Sequence, residues 1–203
     1  MDKIELQVIE KIKKARGGSV FFIDDFLSLG TAKTVSKVLE RLVEKDQLTR
    51  VARGMYARLK TNPLFGKEHP SIEEIAKAIA KRDKARIVPT GTMALNILGL
   101  STQIPLKIVY LTDGSARIVK LNKQTIKFKK ASPRNLSAIG SISSLVIQAL
   151  KEIGKDKVTE QETDVILKHL KDEEPYRLEH DIKLAPEWIR VIMRKALTPS
   201  SHA

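Results

Sequence analysis

Around Asp46-Gln47 the apolar period of this chain switches from helical to alternating, and that switch constrains what residues 31 to 59 can become. Before it, Val35, Val38, Leu39, Leu42 and Val43 recur at helical spacing behind Thr31, a good N-cap residue. After it, Leu48 and Arg50 alternate on one expected strand and Met55, Ala57 and Leu59 on another, with Ala52-Arg53-Gly54 as the turn. The helix therefore buries one stripe and turns Ala32, Lys33, Ser36, Lys37, Glu40 and Arg41 outward. Its outward N-terminal half is small and basic, as entry into a DNA major groove requires, and the positive end of the helix dipole would face phosphate. Arg50, Arg53 and Arg58 decorate the hairpin without an acid among them, which suits backbone or minor-groove contact. A helix followed by an arginine-tipped hairpin is the layout expected of a winged helix-turn-helix. The expected DNA-contacting set is Thr31, Lys33, Ser36, Lys37, Arg41, Arg50, Arg53 and Arg58. A purely structural helix and hairpin, or a winged helix used to bind protein, would leave the same pattern.

The residues before this segment fit the same module. Ile4, Val8, Ile9 and Ile12 form a helical stripe with Lys3, Glu5, Glu10, Lys11 and Lys13 around the other face. Asp2 and Glu5 have capping-box spacing, and Gly17-Gly18 ends the helix. Val20 to Ile23 reads as a short strand or core-plugging connection, and Asp24-Asp25 as the start of a short second helix through Leu29. The module is expected to occupy residues 1–60. Asn62-Pro63-Leu64-Phe65-Gly66 interrupts all periodicity, so 61–69 reads as a linker.

Charge agrees with a polyanionic partner. Lys and Arg number 37 against 24 Asp and Glu, a formal net charge of +13. Cysteine is absent, which removes disulfides, thiolate nucleophiles and cysteine-based zinc sites. No apolar run approaches the roughly 18 residues of a membrane span, and the N-terminus lacks a signal-peptide core, so a cytoplasmic protein with no membrane partner is expected.

Residues 70–203 read as an α+β domain with a small antiparallel sheet and C-terminal helices. Ser71 and Glu74 form a capping box ahead of Ile72, Ile75, Ala76 and Ile79. Ala85 to Pro89, Leu106 to Leu111, Ala116 to Leu121 and Gln124 to Lys129 are expected strands, and Met93 to Leu98 a helix between the first two. Asn122-Lys123 turns between the last two. Residues 107 to 134 carry eight cations against Asp113 alone, a net +7. Arg117, Lys120, Lys123, Lys127, Lys129 and Lys130 are the candidate basic face, suited to nucleic acid or an acidic protein surface, although no aromatic platform accompanies them. Beyond Pro133 the expected helices are Ala138 to Ile153, one capped by Thr159 and Glu162, and one opened by Pro186 with Trp188 as a core anchor.

Catalytic signatures are sparse. His69, His169, His180 and His202 show no metal-ligand spacing, so no metal and no cofactor is expected. Thr90-Gly91-Thr92 precedes a helix but lacks the glycine spacing and lysine of a P-loop, and reads as a capped helix start. Glu173-Glu174 beside Pro175 reads as a solvated helix end rather than a general acid–base pair. Nothing in these residues argues for an enzyme.

Two blocks, LTRVARGMYARL and IVPTGTMALNILGLSTQIPLKIVYLTDGSARIVKLNKQTIKFKKASPRNL, resemble bacterial type IV antitoxins of the abortive-infection, AbiEi-like class. The likeness covers roughly residues 1 to 136. It implies a winged-helix autorepressor that binds inverted repeats upstream of its own operon, with Lys33, Ser36, Lys37, Arg41, Arg50 and Arg53 carrying operator binding. It also implies a functional partner, a nucleotidyltransferase-like toxin in a phage-defence system. Pro89 to Gln103 and the basic sheet would serve the antitoxin role, with or without a stable toxin complex. The alternatives are a protein-interaction module and a stand-alone winged-helix regulator.

Overall fold

In the computed structural model, residues 3–103, 105–121 and 124–197 are described. They form a mixed α+β structure that divides into two compact units, Met1–Arg82 with Lys120–Asn122, and Asp83–Val119 with Lys123–Ala203. The expected Asp2–Glu5 box, the Asn122-Lys123 turn and His202 lie outside the described residues.

The first unit opens with helix α1 (Lys3–Lys14), followed by strand β1 (Val20–Phe22) and a 3-10 turn, Ile23–Phe26. The expected second helix is thus only this turn, pinned where the Phe22 N–H donates to the Asp25 carboxylate at 2.8 Å. Helix α2 (Ala32–Glu44) begins where the Thr34 N–H donates to the Thr31 hydroxyl at 3.3 Å. Asp46, at φ 55, turns the chain into β2 (Thr49–Ala52), and Gly54, at φ 70, supplies the left-handed residue that turns it into β3 (Met55–Ala57). The sheet order is β1-β3-β2, antiparallel throughout, with a register irregularity between Arg50 and Ala52. Beneath it Val8, Ile12, Phe26, Val35, Val38, Leu39, Leu42 and Tyr56 close a single apolar core.

Three expectations for this unit are corrected. Residues 61–69 are not a bare linker: β4 (Lys60–Asn62) and β5 (Gly66–Glu68) pair as an antiparallel hairpin. Its tip leaves Leu64 85% and Phe65 78% exposed. Helix α3 (Ile72–Arg82) then follows its Ser71–Glu74 capping box and belongs to this unit rather than to the next. Glu5 is not on the solvent face of α1 either; it is 2% exposed and ion-paired to Arg41 and Lys45 at 3.2 and 3.0 Å.

A four-stranded sheet has the order β6 (Ile87–Pro89), β7 (Lys107–Thr112), β9 (Gln124–Lys130), β8 (Arg117–Leu121); it belongs to the second unit except for Lys120 and Leu121 of β8, which the division assigns to the first. The expected antiparallel sheet is mixed. β6 and β7 are antiparallel, but β7 and β9 run parallel, with Ile108 opposite Ile126 and Tyr110 opposite Phe128. Helix α4 (Thr92–Ile97) lies between β6 and β7 in the chain. After a 3-10 turn at Pro133–Leu136 come α5 (Ser141–Ile153), α6 (Glu160–Leu170), α7 (Pro175–Ile182) and α8 (Glu187–Arg194). Val146, Leu150, Ile166, Leu170, Leu178, Ile189 and Met193 fill the space between these helices, with Trp188 packed at the edge.

Helix α5 starts in an unusual setting. Glu173, only 7% exposed, accepts from the Ile142 and Ser143 N–H groups at 2.8 and 3.1 Å. Asp181, fully buried, accepts from the Ile139 and Gly140 N–H groups, both at 2.9 Å, from the Ser143 hydroxyl and from His180 Nδ1. Two carboxylates therefore satisfy the free donors of the helix start, where the dipole favours negative charge. The expectation of a solvated Glu173 is corrected. The Ser143, His180 and Asp181 grouping is structural: the buried hydroxyl donates to Asp181, not to the imidazole.

Candidate nucleic-acid interface

Four of the expected contact residues stand clear of any acid among the described residues. Lys33 and Lys37 are exposed on the outward face of α2, and Arg50 and Arg53 are exposed on β2 and its turn. The helix places Lys33 and Lys37 one turn apart on the same face, near its positive N-terminal end. Thr31 is exposed but its hydroxyl serves as the N-cap. Ser36 is half-buried and donates to Glu40 at 3.4 Å.

Two arginines of the expected set are committed elsewhere. Arg58 donates from Nη1 to the Ile12, Lys13 and Ala15 carbonyls at 3.3, 2.8 and 2.7 Å, covering acceptors at the end of α1, of which the Ile12 carbonyl also accepts from the Ala15 N–H. Arg41 pairs with buried Glu5 and donates from Nε to the Lys37 carbonyl at 3.4 Å. The Glu5 carboxyl is held below its ordinary range chiefly by the Lys45 hydrogen bond; burial opposes this, and the Lys45 and Arg41 charges reinforce it. Arg41 and Arg58 thus hold the helices together where the spacing alone suggests contacts.

The expected basic face of residues 117–130 is only partly assembled. Arg117 pairs with Asp83, and its guanidinium lies 5.4 Å from the Phe128 ring centre, so it serves the sheet rather than a partner. Lys127 and Lys129 share one sheet face, in register with Val109 and Leu111, whereas Lys130 points to the opposite face with Phe128. Lys120 is exposed on β8, and Lys123 lies outside the described residues.

A cleft of about 320 Å³ in the first unit has no counterpart in the sequence pattern. Ile9, Ile12, Leu42 and Leu48 make its floor, and Lys13 and Arg58 stand at its rim. Its walls come from α1, the end of α2 and the strands, and only the fold brings them together. Among the described residues, no group of three His, Cys, Asp or Glu side chains could hold a metal ion. No helix among them is long and apolar enough to cross a membrane. At the Thr90-Gly91-Thr92 turn, Gly91 sits at φ 59 with the Glu152 carboxylate 3.3 Å from where a Cβ would be. A phosphate there would meet a like charge.

Residues 7–178 match the model of a family of unknown function, DUF6088. The chain belongs to that family. No curated protein matches it. A similar solved structure is the crystal structure of the RV2827C protein from Mycobacterium tuberculosis, at 10% identity and a TM-score of 0.45, covering 98% of this chain and 83% of that one. At that distance the likeness carries no argument.

Proposed function

We propose that this DUF6088 protein is a DNA-binding transcriptional autorepressor and the antitoxin of a type IV toxin–antitoxin system, counteracting a nucleotidyltransferase-like toxin. The observation that carries the DNA half is the pairing of two unopposed lysines on α2 with two unopposed arginines on the β2–β3 hairpin. A helix, a strand, a helical turn, a second helix and a hairpin that returns beside the first strand support a winged helix-turn-helix reading of the first unit. In that reading α2 enters the major groove through Lys33 and Lys37, while Arg50 and Arg53 neutralise the neighbouring backbone. Support for the antitoxin half comes from the AbiEi-like blocks in the sequence, and the second unit is the portion left to serve it.

Mobility-shift titration of the full chain against DNA from upstream of its own reading frame tests the DNA half. A sequence-specific shift is expected to persist at about 150 mM salt, where contacts to phosphate alone weaken steeply. Equal affinity for operator and random DNA at that salt would overturn it. Co-expression with the product of the neighbouring reading frame tests the antitoxin half, with rescue of growth as the expected outcome.

A further inference from the structure

The second unit contains a cluster of polar side chains, all able to donate, that the proposed function does not use. A small cavity of about 20 Å³ opens between the 3-10 turn at Pro133–Leu136 and α5, lined by Arg134, Asn135, Ser144 and Gln148 against an apolar wall of Ile147 and Leu184. That volume admits one oxygen atom or water at its floor, with the rest of a ligand lying at the mouth. Ser144 and Gln148 are 9% and 8% exposed. Among the described residues neither side chain makes a hydrogen bond within the protein, and neither is one of the sealed unpartnered polar atoms, so the Ser144 hydroxyl and the Gln148 amide are open to a small solute or water. The sequence explains the placement: Ser144 and Gln148 recur one turn apart on one face of α5 and line the cavity with Arg134 and Asn135, and Lys151, exposed, follows on that face outside the lining.

The charges are equally unbalanced. Burial pushes the Lys151 ammonium below its ordinary value, and the nearby Arg134 charge pushes it further. Among the described residues no acid lines the cavity, and neither Arg134 nor Lys151 has an ion-pair partner. Two cations near one another, two uncommitted polar groups on nearly buried side chains and a further amide are the complement of an oxyanion.

We propose that this cleft is a binding site for a phosphate dianion, either free phosphate or the terminal phosphoryl group of a phosphate monoester. One phosphate oxygen occupies the cavity floor and accepts from the Ser144 hydroxyl and the Gln148 amide. The Arg134 guanidinium accompanies a second oxygen, and Lys151, outside the lining, adds its charge from the next turn of α5. A dianion matches two cations, whereas a diester would leave one of them uncompensated. This site is independent of the DNA-binding reading, since its residues all lie in the second unit.

Calorimetric titration of the full chain with inorganic phosphate, against sodium chloride at the same ionic strength, tests the site. Binding is expected in the wild type, with about tenfold or greater weakening in Arg134→Gln and in Gln148→Leu, each of which removes a charge-assisted or buried contact. Without phosphate, Arg134→Gln and Lys151→Gln are expected to melt no earlier than the wild type, because each removes a repulsion rather than a support. A merely structural arginine would lower the melting temperature instead. Adenosine monophosphate binding more tightly than inorganic phosphate would mark a nucleotide as the carrier, and the reverse would mark the free ion; both support the site. Dimethyl phosphate binding as tightly as phosphate would overturn the dianion. No heat beyond the chloride control, or the same heat in both variants, would overturn the site itself.

Discussion

Arg53 and Arg58 belong to one short segment, yet they are expected to answer truncation in opposite ways. Arg53 is exposed at the hairpin turn with no acid partner among the described residues, so Arg53→Ala should leave stability within about 0.5 kcal/mol. It should weaken operator and random DNA alike and lower the salt slope by roughly one. Arg58→Ala uncovers three carbonyls at the end of α1 and should cost about 1.5–3 kcal/mol, as a charged hydrogen-bonding group does. Urea unfolding separates the two: an Arg58→Ala protein as stable as the wild type but poor at binding DNA would reverse the assignment. Glu5 adds a pH dependence. Its carboxyl sits below its ordinary value in the folded chain, chiefly through the hydrogen bond from Lys45. The stability it contributes is therefore complete above the ordinary carboxylate range and is lost as pH falls through the lowered value. Glu5→Gln should flatten the acid limb of a urea-midpoint profile, and an unchanged acid limb would show that the pair with Lys45 carries no such coupling.

At the scale of elements, the start of α5 is the most tightly specified feature of the second unit. A Cβ on Gly140 would collide with the Ser143 hydroxyl oxygen and lie 2.5 Å from a Glu173 carboxylate oxygen. Gly140 has φ −85, which any residue adopts, so glycine is required here by space and not by backbone conformation. Gly140→Ala should cost about 1–3 kcal/mol through overpacking, measured by chemical denaturation. Wild-type stability in that variant would place the two carboxylates elsewhere. None of this was legible in the sequence, because Glu173 and Asp181 reach α5 from segments some 30 residues away or more. What was legible is what local spacing encodes. The stripe Val35–Val38–Leu39–Leu42, the Ser71–Glu74 and Thr159–Glu162 boxes and the glycine at the β2–β3 turn all appear where their periods put them. Strand order is not local, so the parallel pairing of β7 with β9 escaped it. The β4–β5 hairpin escaped for another reason: with three-residue strands and a Pro-Leu-Phe tip, it has too little alternation to show a period. The site residues divide along the same line. Lys33 and Lys37 are outward by period and Arg53 by its place in the turn, whereas Arg50 shares the period of buried Leu48 and is exposed only through the fold, and Arg41, Arg58 and Arg117 are captured by partners distant in sequence.

For the whole molecule, the question is whether the two units share one polyanion or serve separate tasks, and the salt dependence of operator binding separates these. If Lys33, Lys37, Arg50 and Arg53 each displace one counterion, log Kobs should fall with log salt at a slope of about −3.6 per bound copy, or about −7 for two copies on an inverted repeat. The second unit offers further lysines, but the face that carries Lys127 and Lys129 also carries half-buried Val88, Val109 and Leu111 in register beside them. A face that mixes aliphatics with cations suits a protein surface, because phosphate gives the aliphatic row nothing to bury against. The double variant Lys127→Gln, Lys129→Gln is accordingly expected to keep the salt slope and operator affinity of the wild type while losing protection in the toxin co-expression assay. A slope shallower by about two per copy would put the sheet within the DNA footprint and end the division of tasks. Intact protection with an intact slope would leave the two lysines as solvated charge and take the proposed antitoxin role away from this face.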